Sequence, residues 1–284
     1  MRCIEILKVI LLGVIEGVTE WLPISSTGHL LLVESIPSLT LSGVSAPFLE
    51  TFEYVIQLAA ILAVVFLFWG KVFPLQKNRE GKLVWKKESL ILWEKVFIAC
   101  IPATLALGMD MLFTKLPQAV KTLSIALALI VYGALFILIE KRKRRPKALT
   151  TSEISYKHAF LIGCFQILAA IPGTSRSGVT ILGALLLGVS RKASTEFTFF
   201  LAIPTMVGAS AYKLLIFFIE SGGFTTPELG YLLIGSTVAF TTSLAAVKFL
   251  IGFVEKHDFR IFGWYRILLG VVVLFGLVLP PLFA

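Results

Sequence analysis

Long stretches of apolar residues, each bounded by basic or turn-forming residues, recur along the chain. Six of these stretches approach the roughly 20 residues that an α-helix needs to cross about 30 Å of hydrocarbon. They lie at residues 55–69, 90–109, 123–139, 197–219, 231–247 and 267–282. The pattern therefore predicts an all-α polytopic membrane protein with about six transmembrane helices.

Two further apolar stretches are interrupted by proline, glycine, serine and threonine. The first interruption reads PISSTGH at 23–29, and the second reads PGTSRSGVT at 172–180. The apolar pieces that flank them are only about 12 residues long, which is too short to cross and is typical of re-entrant segments. Irregular backbone at that depth is tolerated only where it is buried in protein or lines a wet cavity. We therefore expect two re-entrant hairpins made of broken helices.

The sequences around the two interruptions resemble each other. LLGVIEGVTEWLPISSTGHL at 11–30 aligns with LIGCFQILAAIPGTSRSGVT at 161–180, and FEYVIQLAAI at 52–61 resembles TEFTFFLAIP at 195–204. The alignment is weak and gapped, so chance similarity is an alternative to an internal repeat. The predicted organisation is a single integral membrane domain, 1–284. Within it, repeat one spans about 1–113, a linking helix about 121–140, repeat two about 155–252 and a final helix about 264–283.

Composition and charge agree with a membrane protein and orient it. Only 15% of the residues are charged and 57% are hydrophobic, whereas soluble domains have roughly 25% charged residues. Positive charge concentrates in loops 71–87 and 141–147, and residues 30–70 contain no lysine or arginine. This asymmetry follows the positive-inside rule and places both loops in the cytoplasm, rather than indicating a nucleic-acid surface. The first hairpin then enters from outside and the second from the cytoplasm, so the repeats have inverted topology, with both chain ends outside.

Arg176 lies in the second interruption, where an arginine at membrane depth costs at least about 2.5–3.5 kcal/mol and is functional by default. It is flanked by Ser175 and Ser177, and nearby glycines let backbone N–H groups approach a ligand. A helix that begins here points its positive end at the interruption. Guanidinium, helix terminus and hydroxyls together suit an oxyanion such as phosphate. The alternative is an arginine paired structurally with a buried carboxylate.

Glu16 and Glu20 stand one helical turn apart, on one face, at the edge of the first interruption. Two buried carboxylates cannot both ionise cheaply. Either a divalent cation bridges them to substrate phosphate, or the pair shares a proton and supplies a general base; the residues leave both open. The SSTGH that follows offers hydroxyl nucleophiles, including Ser26, with His29 near enough in sequence to act as their base or acid.

EGVTEWLPISSTGH at 16–29 and PGTSRSGVT at 172–180 resemble the two signature motifs of bacterial undecaprenyl-diphosphate phosphatases, also called bacitracin-resistance proteins. FEYVIQLAAILAVV and GVSRKASTEFTFFLAIP are also similar to that family, so the resemblance covers nearly the whole chain, apart from loop 71–87. It implies hydrolysis of undecaprenyl diphosphate to the monophosphate carrier of peptidoglycan synthesis, with bacitracin resistance as a consequence. It also implies a divalent cation, Mg²⁺ or Ca²⁺, and a bacterial cytoplasmic membrane location.

The chemistry above and the resemblance together define the candidate site. The predicted catalytic residues are Glu16, Glu20, Ser26, His29 and Arg176, and the predicted metal ligands are Glu16 and Glu20. The predicted phosphate-binding residues are Ser25, Thr27, Gly173, Thr174, Ser175, Ser177 and Thr180. Glu53, Gln57 and Glu196 are expected to line the cavity.

A transporter or flippase of a lipid phosphate is the alternative function, because inverted repeats with a midplane anion site also describe transporters. Ser26 with His29 favours the enzyme, since moving an anion requires no nucleophile. The expected partners are a polyprenyl diphosphate lipid and membrane lipids, with a homodimer left open and no nucleic acid. The residues leave open whether Ser26 or a water attacks, and toward which face of the membrane the site opens.

Overall fold

The structure, a computed structural model, describes residues 3–78, 80–114, 116–142 and 145–280, with the backbone alone for 106–114. The helices are α1 (Cys3–Thr19), α2 (Ser26–Glu34), α3 (Ala46–Leu67), α4 (Trp69–Val72), α5 (Lys87–Thr114), α6 (Gln118–Lys141), α7 (Tyr156–Gln166), α8 (Arg176–Leu186), α9 (Arg191–Ser221), α10 (Thr226–Lys256) and α11 (Arg260–Val273). Strands β1 (Leu75–Lys77) and β2 (Leu83–Trp85) form a small antiparallel hairpin. Thr151–Glu153 and Ile167–Ala170 are 3₁₀ turns, and Leu274–Val278 is a π-helical turn. The predicted all-α class is confirmed.

Five helices in the described part of the chain are long and apolar enough to cross a membrane, namely α3, α6, α9, α10, and α11 with its π-helical extension. Four of the predicted spans coincide with α3, α6, α9 and α10, apart from the last residues of the first. The predicted span 90–109 lies within α5, a helix of 28 residues. The predicted span 267–282 begins within α11, continues through the π-helical turn at Leu274–Val278 and ends beyond the described residues. The multi-pass membrane architecture is therefore confirmed.

Both predicted breaks are present, at 20–25 between α1 and α2 and at 167–175 between α7 and α8. Each lies earlier than the predicted 23–29 and 172–180, because α2 already begins at Ser26 and α8 at Arg176. Among the described residues, Ser25 (φ 75°) and Ser175 (φ 69°) are the only non-glycine positions with positive φ. Each serine side chain caps the helix that follows by accepting a hydrogen bond from a backbone N–H, that of Gly28 or Gly178. Non-glycine residues at positive φ are uncommon and persist where surrounding structure holds them. The two breaks therefore share one unusual local geometry.

The helices around the two hairpins also pack in corresponding ways. α1 packs against α10, while α7 packs against α5, and α3 packs against α9 between them. Close approach depends on glycine: a Cβ on Gly17 would lie 2.5 Å from the Ala239 carbonyl oxygen in α10, and one on Gly163 would lie 2.1 Å from the Ala99 carbonyl oxygen in α5. Small residues at helix contacts are typical of membrane bundles.

The helix order gives the two hairpins opposite directions of insertion. Three long helices, α3, α5 and α6, separate them, and an odd number of crossings returns the chain to the opposite face. This arrangement agrees with the predicted inverted topology. The residue bounds predicted for the repeats, for the linking helix and for the final helix stay predictions.

A buried aromatic contact anchors the first break. Trp21, which is 1% exposed, is the second residue after the end of α1. Its ring meets Phe199 of α9 edge to face, with ring centroids 5.0 Å apart, an arrangement that aromatic pairs prefer. Because α9 also follows the second break along the chain, this contact helps to fix one hairpin against the other repeat.

The positive-inside rule places the loop between α3 and α5 in the cytoplasm, so α6 should begin at the outer face. In a chain whose three cysteines, Cys3, Cys100 and Cys164, are replaced by serine, Gln118→Cys should react with a membrane-impermeant maleimide in intact cells. Lys82→Cys, in the basic hairpin, is the matched control and should react only after permeabilisation. The reverse labelling pattern would contradict the orientation.

Candidate active site

A cavity of about 410 Å³ lies between the two breaks. It is lined by Glu16, Glu20, Ser26 and Arg176, among others. The lining also includes Glu34 at the end of α2, Gln118 and Lys121 in the first turn of α6, and Glu53, Tyr54 and Gln57 of α3. The two hairpins and the central helices thus enclose one polar chamber, and four of the five predicted catalytic side chains line it.

The two breaks touch directly behind this chamber. The Ser177 hydroxyl donates a hydrogen bond to the backbone carbonyl of Glu20 at 3.1 Å. The hydroxyls of Ser175 and Ser177 are 3.2 Å apart. A residue in the first turn of α8 therefore satisfies a backbone acceptor in the first break, as helix ends inside a membrane require.

Ser26 begins α2, and its hydroxyl donates to Oε2 of Glu20 at 3.0 Å. A hydroxyl that already donates to a carboxylate has the arrangement of a nucleophile beside its base. The residues alone had suggested His29 for that task, whereas the structure places Glu20 in contact with the hydroxyl. Ser26 and Glu20 therefore form the nucleophile–acceptor pair that the site offers.

Unpaired polar atoms face the chamber from both sides. Glu16 is 1% exposed, and within the described residues no hydrogen bond of standard geometry reaches its carboxylate oxygens, although the Gln57 side chain is close enough to interact with them. Nη1 of Arg176 also lacks a hydrogen-bond partner among the described residues. Gln57 lies beside Glu16, and Arg176 is close enough to interact with both Glu16 and Glu20. Leaving buried polar groups unpaired is costly, so these atoms are the ones in the chamber that a ligand could pair.

His29 points toward α11 rather than into the chamber. Its Nδ1 is 2.7 Å from the Ser25 carbonyl oxygen and its Nε2 is 2.7 Å from the Tyr265 hydroxyl. The two rings are stacked, with centroids 5.6 Å apart. Both ring nitrogens are therefore engaged, and the contact with Tyr265 holds α2 against α11. The predicted proton transfer between His29 and Ser26 has no contact in the structure to support it.

Glu196 does not line the cavity, and that prediction is wrong. Its carboxylate forms an ion pair with Lys71 of α4, Oε2 to Nζ 2.6 Å. The repeat aligned Glu196 with Glu53, but the second copy is inverted, so the aligned residue lies toward the opposite face. Glu53 and Gln57 do line the cavity, as predicted.

The seven predicted phosphate-binding residues divide into two groups. Thr27, Gly173 and Ser175 line the chamber, whereas Ser25, Thr174, Ser177 and Thr180 are buried behind its wall. The buried group supports the breaks: the Thr180 hydroxyl, for example, donates to the carbonyl of Arg176 at 2.9 Å. For these four residues, direct contact with phosphate is not supported by the geometry.

Reasoning from the sequence missed Arg266, in α11. Its side chain is fully buried, and it donates to backbone carbonyls of both breaks: Pro23, Gly173 and Thr174. The available signal was an arginine directly before the last apolar stretch, which the span prediction treated as a flanking charge.

Glu16 and Glu20 are two carboxylates that could hold a divalent cation together with ligands from outside the protein. Among the residues that the structure describes, no group of three or more His, Cys, Asp or Glu side chains could hold a metal ion. Mg²⁺ is commonly bound through one or two carboxylates, with substrate phosphate and water completing its shell. The unpaired oxygens of Glu16, beside Glu20, fit that use.

Comparison with known proteins agrees with the sequence resemblance. The chain matches the family described as bacitracin resistance protein BacA over residues 9–272. It is 54% identical over 275 residues to an undecaprenyl-diphosphatase of Enterococcus faecalis, covering 95% of this chain and 96% of that protein. It is 53% identical over 278 residues to one of Desulfitobacterium hafniense, covering 96% of each. An undecaprenyl-diphosphatase of Streptococcus equi subsp. equi is 49% identical over 289 residues, covering all of both chains.

Arg176→Lys should reduce turnover of a polyprenyl diphosphate by about 10²–10³-fold, as when one preorganised oxyanion donor is lost, although the charge is kept. A lysine ammonium cannot reproduce the planar fork that grips a phosphate through two N–H groups. Arg191→Lys is the matched control, because Arg191 pairs with Glu140 outside the chamber. Phosphate release per folded molecule is the measurement, and near-normal turnover by Arg176→Lys would reject the clamp.

Proposed function

We infer that this chain, which belongs to the bacitracin-resistance protein BacA family, hydrolyses undecaprenyl diphosphate to undecaprenyl phosphate and inorganic phosphate. The observation that carries this proposal is the Ser26–Glu20 hydrogen bond in a chamber shared with Arg176. A hydroxyl, a proton acceptor and a cation facing one cavity are the components that cleavage of a phosphoric anhydride needs. The product would return to cell-wall synthesis as lipid carrier, and bacitracin resistance follows from that recycling.

The terminal phosphate of the substrate would bind between the two breaks. Arg176 begins α8, so its side chain and the positive end of that helix act on the same anion. Thr27 and Ser175 line the same chamber and offer hydroxyl donors. Phosphoryl transfer depends mainly on positioning and charge stabilisation, and this part of the site supplies both.

We propose that the Ser26 oxygen attacks the terminal phosphorus while Glu20 accepts the hydroxyl proton. The bond between the terminal phosphorus and the bridging oxygen breaks, and the lipid monophosphate leaves with that oxygen. A water then attacks the phosphoserine, regenerates Ser26 and releases inorganic phosphate. In the alternative, Glu20 deprotonates a water directly and Ser26 only orients the phosphate. The Ser26→Ala variant separates the two.

Glu16, together with Glu20, would hold the divalent cation, Mg²⁺ or Ca²⁺, that the family resemblance implies. When bound, such a cation supplies charge neutralisation on the diphosphate oxygens. Glu16 suits this role because neither of its oxygens has a hydrogen-bond partner among the described residues. Glu20, which already accepts from Ser26, is the better placed of the two for proton transfer.

The chamber extends toward the face at which α2 ends and α3 and α6 begin. The positive-inside rule makes this the outer face, so we propose that the diphosphate head group reaches the site from outside. The membrane would be the bacterial cytoplasmic membrane. A homodimer stays a prediction, and no nucleic-acid partner is expected.

Purified wild-type protein should release inorganic phosphate from undecaprenyl diphosphate in detergent. Ser26→Ala should lose at least about 10²-fold in turnover, as expected when an activated nucleophile is removed. The variant should still bind the substrate. Ser35→Ala is the matched control, because that exposed hydroxyl only donates to the Leu32 carbonyl at the end of α2.

The same assay decides between the candidate functions. A lipid-phosphate transporter with the same inverted hairpins would release no phosphate, so silent wild-type protein would reject the enzyme. Phosphate release that persists in Ser26→Ala would instead keep the enzyme and assign the attack to water.

The two glutamates should respond differently to metal. Glu16→Gln should lower divalent-cation affinity, so its activity should partly recover as Mg²⁺ or Ca²⁺ is raised. Glu20→Gln removes the proton acceptor and should lose about 10²–10⁴-fold without recovery. Glu255→Gln, which alters an exposed partner of Lys192, is the control. Calorimetric titration of the cation checks affinity directly, and metal-independent losses at both positions would contradict the assignment to Glu16.

A further inference from the structure

Arg266 is a fully buried arginine that the proposed chemistry does not use. It lies in α11, which packs along α6 at the side of the chamber. None of its contacts within the described residues involves a carboxylate. Its partners are instead three backbone carbonyls, those of Pro23 at 3.2 Å, Gly173 at 3.0 Å and Thr174 at 2.9 Å.

A buried cation with only neutral partners is unusual, because desolvation of a charge is expensive unless the charge is paired. In a membrane segment such a residue is expected to have a function. The face of the Tyr132 ring lies 5.8 Å from the guanidinium carbon and adds a favourable cation–π contact. Three carbonyl dipoles and one aromatic face therefore stabilise the charge where it is.

The three carbonyls belong to both breaks. Pro23 lies in the first, and Gly173 and Thr174 lie in the second. Each group stands one or two residues before a serine with positive φ, Ser25 or Ser175. The first residue of α2 or α8 follows each serine directly. A single side chain thus fixes the backbone immediately upstream of the residues that face the chamber.

The guanidinium also lies against the first turn of α8. A Cβ added to Gly178 would be 3.2 Å from Nη1 of Arg266, so the absence of a side chain at Gly178 gives the arginine room. Arginine suits this position because its rigid fork directs N–H groups at several acceptors at once. Lysine has a single ammonium centre and cannot span carbonyls from both breaks in the same way.

We propose that Arg266 is a positioning residue for the hydrolysis: it ties the two breaks together and so sets Ser26 and Glu20 against Arg176. This inference rests on the proposed function, because it assigns the nucleophile to one break and the phosphate clamp to the other. Binding of the lipid would depend weakly on Arg266, while the chemical step would depend on it strongly. A displacement of about 1 Å at a reacting centre can cost about 10²-fold in rate.

The test compares Arg266→Lys and Arg266→Gln with Arg191→Lys and Arg191→Gln, which alter an ion-paired arginine at the start of α9. The kcat and KM for phosphate release from undecaprenyl diphosphate are measured with thermal unfolding of the same samples in detergent. Arg266→Lys should fold and lose about 10²-fold in kcat, with KM near the wild-type value. Arg266→Gln should lose more, and the Arg191 variants should keep kcat.

Tyr132→Leu provides a second variant that keeps the arginine itself. It removes the ring beneath the guanidinium, so kcat should fall in the same direction but less than in Arg266→Lys. If the Arg266 variants do not fold, the kcat of Tyr132→Leu still tests whether Arg266 positions the two breaks.

An unchanged kcat per folded molecule of Arg266→Lys would overturn the inference. If the unfolding temperature is lower while kcat is unchanged, the role of Arg266 is purely structural. A wild-type protein that releases no phosphate would reject the proposed function, and this inference with it. Normal wild-type release with undiminished Arg266→Lys would reject this inference alone.

Discussion

Every backbone polar group at membrane depth must find its partner inside the protein, and this requirement shapes both breaks. Water is absent there, so an unpaired N–H or C=O costs several kcal/mol. The capping serines satisfy one N–H at each new helix, and the Ser177 hydroxyl satisfies the Glu20 carbonyl in the other hairpin. Arg266 satisfies three more carbonyls from α11. The helices of the two hairpins can be interrupted because the other hairpin or a neighbouring helix supplies hydrogen-bond partners for the backbone groups at each break.

In the candidate active site, by contrast, some buried polar atoms have no hydrogen-bond partner. Around the chamber, both carboxylate oxygens of Glu16 and Nη1 of Arg176 lack hydrogen-bond partners among the described residues, whereas backbone groups in the two breaks are hydrogen-bonded. A phosphate with its cation could bind between these groups, because they carry opposite charges and face one cavity. The burial cost of these groups is thus linked to binding, since a phosphate that enters relieves it.

The parts of the site that depend on neighbouring residues in the sequence could be predicted better than those that depend on long-range contacts. The breaks, the capping positions and the acidic pair at one helical turn are local features, and the apolar lengths around them indicated re-entrant hairpins. His29 was placed by sequence proximity to Ser26, but such proximity does not decide which partner a side chain takes, and His29 contacts the Ser25 carbonyl and the Tyr265 hydroxyl instead. Glu196 was placed by the repeat, whose inversion carries it to the far side. Arg266 acts across more than 90 residues of sequence, and no local pattern marks such a contact.

The inverted repeat explains how one scaffold acquires two different chemical groups at one point. Offset by 150 residues, the two capping serines correspond, and the residue after each begins its helix: Ser26 in α2 and Arg176 in α8. Symmetry therefore brings equivalent backbone positions to face each other, while the side chains at those positions differ. Glu16 and its counterpart Gln166 differ in the same way. A symmetric passage for an anion would gain from like groups in both halves, since the ligand meets each half in turn. Attack on phosphorus instead needs a nucleophile with its acceptor on one side and a cation on the other, and the divergence of the two copies supplies that asymmetry.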